Sequence, residues 1–280
     1  MNDLTSLDAL QAAARGFYFV AAMLLFGDIA LSLLIHARLP AILPPRDRRL
    51  RWSALAVAAV SAVLWLVLAA RQMAGSLDPA ALGQVLTATL FGRIFLARMA
   101  ALAMLALVLR RGAKPAALLA LIALALPAAT SHAAAASPAG FMVLGASLDA
   151  VHLATAGFWL GGLCGLLQLH RQREPNMLLA LSLFSEWAII AVLLLVMTGL
   201  IDGASILLGD AGKPSPLYLG ILAGKLALVA VMLGLAAINR FRLMPQGADQ
   251  VILRNAALEL GAGVIAVLLA GLLGQLQPAI

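Results

Sequence analysis

The chain is poor in charge, in cysteine and in aromatic rings, and each shortage excludes something. Only 11% of its 280 residues are charged, against about 25% in soluble domains, so a water-soluble globular domain is excluded. The single cysteine, Cys164, rules out an internal disulfide and any CxxC metal motif. Set inside an apolar run, it reads as a packing thiol. Missing too are a P-loop, a GxSxG elbow, a dinucleotide fingerprint and an HExxH pair. Those absences exclude ATP-driven pumping by this chain alone and point to a non-enzyme that uses no nucleotide. Residues 1–14 hold Asp3 and Asp8 but no basic residue, and no small-residue cleavage site follows the first apolar run. That run is expected to be a retained span rather than a removed signal peptide.

What the chain has is apolar length. It is 64% hydrophobic with a mean hydropathy of +1.03. About 20 apolar residues cross a bilayer, and eight such runs can be read, near 16–36, 52–70, 92–109, 115–132, 147–169, 182–201, 217–238 and 255–275. The fold class is therefore all-α, a polytopic membrane helix bundle in which each span satisfies its own backbone hydrogen bonds. The fourth run is the weakest, because Pro127 interrupts its hydrogen bonding. Pro115, Pro175 and Pro245 punctuate loops. Between spans two and three, Leu82, Val85, Leu86 and Leu90 recur at helical spacing, which predicts an amphipathic surface helix over Asp78 to Phe91.

The net charge of +7 and a pI near 10.7 would point to nucleic acid in a soluble protein. Here the basic residues sit in alternate short loops, so membrane orientation explains them and no nucleic-acid partner is expected. Arg38, Arg46, Arg48, Arg49 and Arg51 occupy the first loop. Arg110, Arg111 and Lys114 fill the third, Arg171 and Arg173 the fifth, and Arg240, Arg242 and Arg254 the seventh. The even loops are poor in basic residues. Odd loops are thus expected in the cytoplasm and both termini outside it.

A repeat is expected between residues 1–140 (spans 1–4) and 141–280 (spans 5–8). Phe91 precedes Arg98 by the same seven residues that separate Tyr218 from Lys225, and long apolar runs ending in Arg110 and Arg240 follow. Trp52-Ser53 likewise resembles Phe184-Ser185. An even number of spans per half makes the two four-helix repeats parallel.

Two histidines carry the best site signal. His132 ends span four and His152 lies about one turn inside span five; at about 1.5 Å rise per residue their depths can match. Asp149 and His152 share a helix face at i and i+3, so the carboxylate can hold the imidazole tautomer that frees one nitrogen for a metal. Trp159, two turns below, would floor the site. Imidazole suits copper, zinc and iron, and thioethers favour Cu(I), which brings in Met142 in the loop and Met197 in span six, though packing explains most methionines in such a chain. A hydrogen-bonded structural role for the two histidines stays open beside a metal. Arg98 and Lys225 lie within spans, with Asp28 and Glu259 as candidate acids for them and snorkelling as the plain alternative. Glu186 and Asp202 mark the two ends of span six. His36 and His170 border the basic loops.

Together these residues resemble the copper resistance protein D (CopD) family. The resemblance is carried by Ser131-His132-Ala133, by Asp149-Ala150-Val151-His152-Leu153-Ala154 running into Phe158-Trp159-Leu160-Gly161-Gly162-Leu163, and by Phe184-Ser185 with Thr198-Gly199-Leu200. Tyr218 with Lys225, Asn239-Arg240, and Leu253-Arg254 to Glu259-Leu260 closing in Gly274-Gln275-Leu276-Gln277-Pro278 complete it. It is densest from about residue 130 to 278. It implies a bacterial inner-membrane protein of eight helices that takes copper from a periplasmic carrier of the CopC type toward the cytoplasm, with His132 and His152 as copper ligands. Tyr18 stands where the repeat would put a counterpart of His152, so the implied site is asymmetric. From the residues alone, a b-type haem electron carrier using His132 with His152 and His36 with His170, and a non-transporting scaffold, stay open beside transport.

Overall fold

The computed structural model describes residues 5–40, 42, 48–130, 142–208 and 214–276. Among these residues there is no strand; the chain is a bundle of nine helices. In chain order they are α1 (Ser6–Arg38), α2 (Arg48–Ala74), α3 (Pro79–Ala88), α4 (Leu90–Val108), α5 (Ala113–Ala125), α6 (Met142–Arg171), α7 (Met177–Leu208), α8 (Pro216–Ile238) and α9 (Asp249–Leu273). All but α3, with α5 extended by the turn that follows it, are long and apolar enough to cross a membrane. Several exceed the expected runs: α1 has 33 residues and α7 has 32, so their ends outlast the hydrocarbon layer or the helices tilt within it.

Local sequence explains the boundaries. Thr5 and Asp8 form a capping box at the start of α1, with Asp8 N donating to Thr5 Oγ1 at 3.2 Å and Thr5 N to Asp8 Oδ2 at 3.0 Å. Pro127 ends the α-helical part of the fourth span as expected, turning it into a 3-10 turn over Leu126–Thr130. Pro115 corrects its reading as a loop residue: it lies in the first turn of α5, where a missing N–H costs nothing. Arg48, Arg49 and Arg51 likewise belong to the first turn of α2 rather than to a loop.

The predicted amphipathic segment is α3, capped by Asp78, whose Oδ1 accepts from Ala81 N at 2.8 Å. Val85 is buried and Leu82 and Leu86 pack on the core. The helix folds back on α4 and α2 instead of lying alone, and Leu90 belongs to α4. A Cβ at Gly92 would sit 2.1 Å from the Val85 carbonyl oxygen; only glycine permits that approach.

Helix α1 is the axis of the bundle, packed on α2, α5, α6 and α9. In lipid there is little hydrophobic drive between helices, so close backbone approach matters most. The α1–α6 seam provides it through Gly157-x-x-x-Gly161 facing Gly27: a Cβ on Gly27 would lie 2.1 Å from Gly157 O, and one on Gly161 2.5 Å from Gly27 Cα. Gly271 plays the same part between α9 and α1, where a Cβ would stand 2.7 Å from Ala12 O. By contrast α7 packs on α6 and α8 on α9, and α7 and α8 share no packed seam.

Candidate functional site

Because α6, α7 and α8 run in alternating directions, the start of α6, the end of α7 and the start of α8 meet at one end of the bundle. His152 lies there, half-buried. Its Nδ1 is 2.9 Å from Thr198 Oγ1, and the threonine hydroxyl donates its one proton to Leu194 O at 2.8 Å. The oxygen therefore accepts from His152 Nδ1–H, which leaves Nε2 as the nitrogen with an open lone pair. Gly199 keeps the ring edge clear: a Cβ there would lie 3.4 Å from His152 Cε1.

This corrects the expected role of Asp149, since the residue that fixes the imidazole is Thr198. Asp149 instead shares a hydrogen bond with the Asp202 carboxyl, and Lys225 from α8 lies within electrostatic reach of both. Arg15 of α1 faces Asp149 and donates from Nη1 to Gly274 O at 3.2 Å, tying the cluster to the end of α9. Five elements thus contribute to one polar mouth of a histidine, two carboxyls, a lysine and an arginine. Among the described residues no group of three His, Cys, Asp or Glu has metal-binding geometry.

The other expected residues fall in different places. His132 lies outside the described residues, as does the side chain of Met142. Met197 is 60% exposed on α7, beside Thr198 in sequence but on the bundle surface. Trp159 is buried, and its indole hydrogen-bonds the Glu259 carboxylate, so it anchors α9 as well as lying below His152. Glu259 also accepts from Asn239 Nδ2 at 2.8 Å, and Asn255 Nδ2 donates to Asn239 Oδ1 at 2.7 Å. Asp28 accepts from Arg51 Nε at 2.6 Å and Gln168 Nε2 at 2.7 Å, while Arg51 Nη2 donates to Ser32 Oγ at 2.7 Å. The acids expected for Arg98 and Lys225 are thereby committed elsewhere, nearer the Arg-rich end of the bundle.

Arg98 sits in a cage of rings instead. Its guanidinium carbon is 4.5 Å from the Tyr18 ring centre, 4.7 Å from Trp65 and 5.5 Å from Phe95. It hydrogen-bonds Tyr18, whose hydroxyl donates to Ala123 O. Arg98 Nε and Nη2 have no hydrogen-bond partner among the described residues.

Arg15 and Thr198 escaped sequence reasoning as site residues. Arg15 has a usable signal, being at i, i+3 and i+4 to Tyr18 and Phe19 on a buried face. Thr198 has only its place within Thr198-Gly199-Leu200, because its depth opposite His152 depends on how two helices slide past each other.

Comparison with known proteins places this geometry. Residues 6–142 match the copper resistance protein D-like N-terminal domain and residues 178–273 match copper resistance protein D. The chain belongs to the copper resistance protein D family. As a member it is a multi-pass inner-membrane protein. The match over 6–142 extends the resemblance into the half where it is weaker to the eye. Copper resistance protein D of Pseudomonas syringae pv. tomato is 32% identical over 151 residues, covering 47% of this chain and 49% of that protein. The chain therefore spans about half the length of the curated relative it matches. No solved structure matches the chain. Thr198, Asp202, Lys225 and Glu259 fall within the second matched segment of this copper resistance protein D family member, His132 falls within the first, and Asp149 and His152 lie between the two.

Proposed function

We propose that this chain is a copper permease of the inner membrane, receiving copper at the polar mouth formed by α6, α7 and α8 and passing it toward the Arg-rich end. The observation that carries the reading is the Thr198–His152 hydrogen bond, which satisfies Nδ1 and leaves Nε2 ready to ligate. Imidazole suits copper, and the Asp149–Asp202 pair, bridged by a shared proton, sets carboxyl oxygens beside the imidazole that a metal ion can meet. Lys225 and Arg15 balance the charge of the pair, so a metal ion is met without being trapped. His132 is the second ligand in this reading, with Met142 and Met197 as thioether candidates.

The charge of the loops orients the mouth and both termini to the periplasm, where a carrier of the CopC type would deliver copper. Copper is cargo here and the protein is not an enzyme. The b-type haem alternative is weakened by His36 and His170, which are both exposed at helix ends rather than enclosed as paired axial ligands require.

The test is copper accumulation by cells carrying His132→Ala with His152→Ala, at matched membrane levels. Accumulation is expected to fall to that of cells lacking the protein; accumulation equal to wild type overturns the site. Proteoliposome flux with purified protein separates transport from a scaffold role, and a visible spectrum without a Soret band removes the haem reading.

A further inference from the structure

The far end of the molecule carries a cavity open to its surroundings, remote from His152. Its volume is about 410 Å³ and it is lined by Ser182 and Glu186 of α7, Arg240 and Phe241 of the wide turn Asn239–Leu243, and Met244 and Pro245 of the turn that follows. It lies where α7 and α8 part without a packed seam, so it opens sideways along two helices whose exposed faces are apolar. Trp187, Ile189 and Ile190 are exposed on α7 within one turn of Glu186, and Phe241 is 75% exposed.

Two opposite charges face this space without neutralising each other. Arg240 uses Nη1 on Ser185 Oγ at 2.7 Å, which fixes the guanidinium at the level of Glu186 with its other N–H groups unspent. Glu186 is exposed in the apolar span, and among the described residues it forms no ion pair; the ion pair found there joins Arg51 to Asp28. An exposed carboxylate on a lipid-facing span is costly unless something answers it.

The chemistry selects the occupant. A lone anion would meet Glu186, and a lone cation would meet Arg240. A metal ion would find one carboxylate with a guanidinium against it. A zwitterion with a phosphate at one end and an N–H-bearing ammonium at the other satisfies both charges, and an acyl chain attached to it can lie along Phe241 and the apolar face of α7. We propose that this cavity binds the headgroup of an amine-bearing zwitterionic phospholipid, phosphatidylethanolamine. Its phosphate is held by Arg240 and the Ser182 hydroxyl, and its ammonium by Glu186. The site is independent of the copper reading and stands whether or not the protein transports.

The test uses the full chain purified in detergent and exchanged into nanodiscs of phosphatidylethanolamine, phosphatidylcholine and phosphatidylglycerol in equal amounts with identical acyl chains. Lipids that stay bound after release are counted by native mass spectrometry. Phosphatidylethanolamine is expected to be retained over phosphatidylcholine, whose methylated amine cannot donate to Glu186, by about fivefold, the scale of one partly exposed charge-assisted hydrogen bond. Glu186→Gln should bring the ratio close to one with total bound lipid unchanged. Equal retention of the three lipids by the wild type, a preference for phosphatidylglycerol, or an undiminished phosphatidylethanolamine preference in Glu186→Gln overturns the proposal. The wild-type contrast between the two zwitterions needs no mutant, so a folding defect in Glu186→Gln does not shield the idea.

Discussion

Arg98 and Lys225 hold equivalent stations, each inside the third span of its half and each seven residues after an aromatic residue, Phe91 or Tyr218. Their surroundings differ in kind. Arg98 is 1% exposed and faces rings, with α3 folded against the start of its helix. Lys225 is half-buried and faces two carboxyls and an imidazole. On the helix facing each cation stands a different ring, Tyr18 before Arg98 and His152 before Lys225. One is a ring that hydrogen-bonds a cation but is a poor metal ligand at neutral pH, while the other has an open nitrogen. The contrast teaches that a cation inside a span is accommodated in two ways: in the first half the bundle closes around it with quadrupoles, and in the second its surroundings stay polar and reachable.

Both halves depend on one seam, and the largest effect should come from forcing it apart. In Gly161→Val the first added carbon would meet Gly27 Cα at 2.5 Å, Met23 O at 2.6 Å and Asp28 N at 2.8 Å, all backbone. The cost should exceed about 4 kcal/mol, the range where folding fails, and membrane extraction should yield no monodisperse protein. Gly199→Ala is the control, since its nearest neighbour is the His152 ring at 3.4 Å, and it should be recovered at wild-type levels.

Next comes the exchange of roles between His152 and Tyr18. His152→Ala should weaken copper binding, measured by competition with a chelator, by more than the roughly 10–100-fold that loss of an outer partner gives. Tyr18→Phe should leave it unchanged while lowering the thermal midpoint, because it removes the bond to Ala123 O and strips a partner from Arg98, each worth about 1 kcal/mol. If Tyr18→Phe also abolished copper binding, the division between the halves would be lost.

The cations themselves should give opposite signs. Arg98→Met removes a buried charge that has no acid and keeps the volume, so the thermal midpoint should hold or rise; replacing buried ionic groups by apolar ones is often neutral or stabilising. Lys225→Met removes a counter-charge of Asp202 and Asp149 and should cost roughly 1–3 kcal/mol, discounted from the buried-pair range because the mouth is half open. Thermal unfolding in detergent reads both.

These contrasts also mark how far the sequence could be read. All eight spans follow from run length, since lipid imposes about 20 apolar residues whatever the neighbours, and α3 follows from the spacing of Leu82, Val85 and Leu86. Partners across helices were less legible. Arg51 counts as a loop cation by position, yet it turns inward to Asp28, because an arginine in a first turn can reach a neighbouring helix. Asp149 shares a face with His152, but face sharing within one helix says nothing about the hydroxyl that α7 slides alongside. Arg98 suggested an acid, and rings answered it; sequence shows charge and cannot show a quadrupole's direction.

A smaller effect isolates that hydroxyl. Thr198→Val keeps the shape and removes the acceptor for His152 Nδ1–H, so the ring loses its fixed tautomer and copper affinity should drop about tenfold. Thr198→Ser should restore it. Equal affinity in all three proteins would mean that Nε2 is not the ligating nitrogen.

The smallest effect concerns the cover over the first half. Asp78 caps α3 through Ala81 N and accepts from Ser76 Oγ at 2.7 Å, and the Ser76 bond, followed by the backbone bonds, holds its carboxyl below the usual range. A carboxyl depressed in the folded state stabilises above its unfolded value, about 3.9, and that stability is lost as pH falls through the lower folded value. The cap should thus be fully in place at neutral pH and should loosen only below about pH 4. Hydrogen exchange at the Ala81 amide is expected to speed up as pH drops into that window, after correction for the intrinsic rate, and to be fast at all pH in Asp78→Ala. Copper binding at His152, measured at neutral pH, should be the same in Asp78→Ala as in the wild type. A loss of copper binding in Asp78→Ala at neutral pH would mean that α3 governs the far mouth as well, and that the two halves are less separate than their cations suggest.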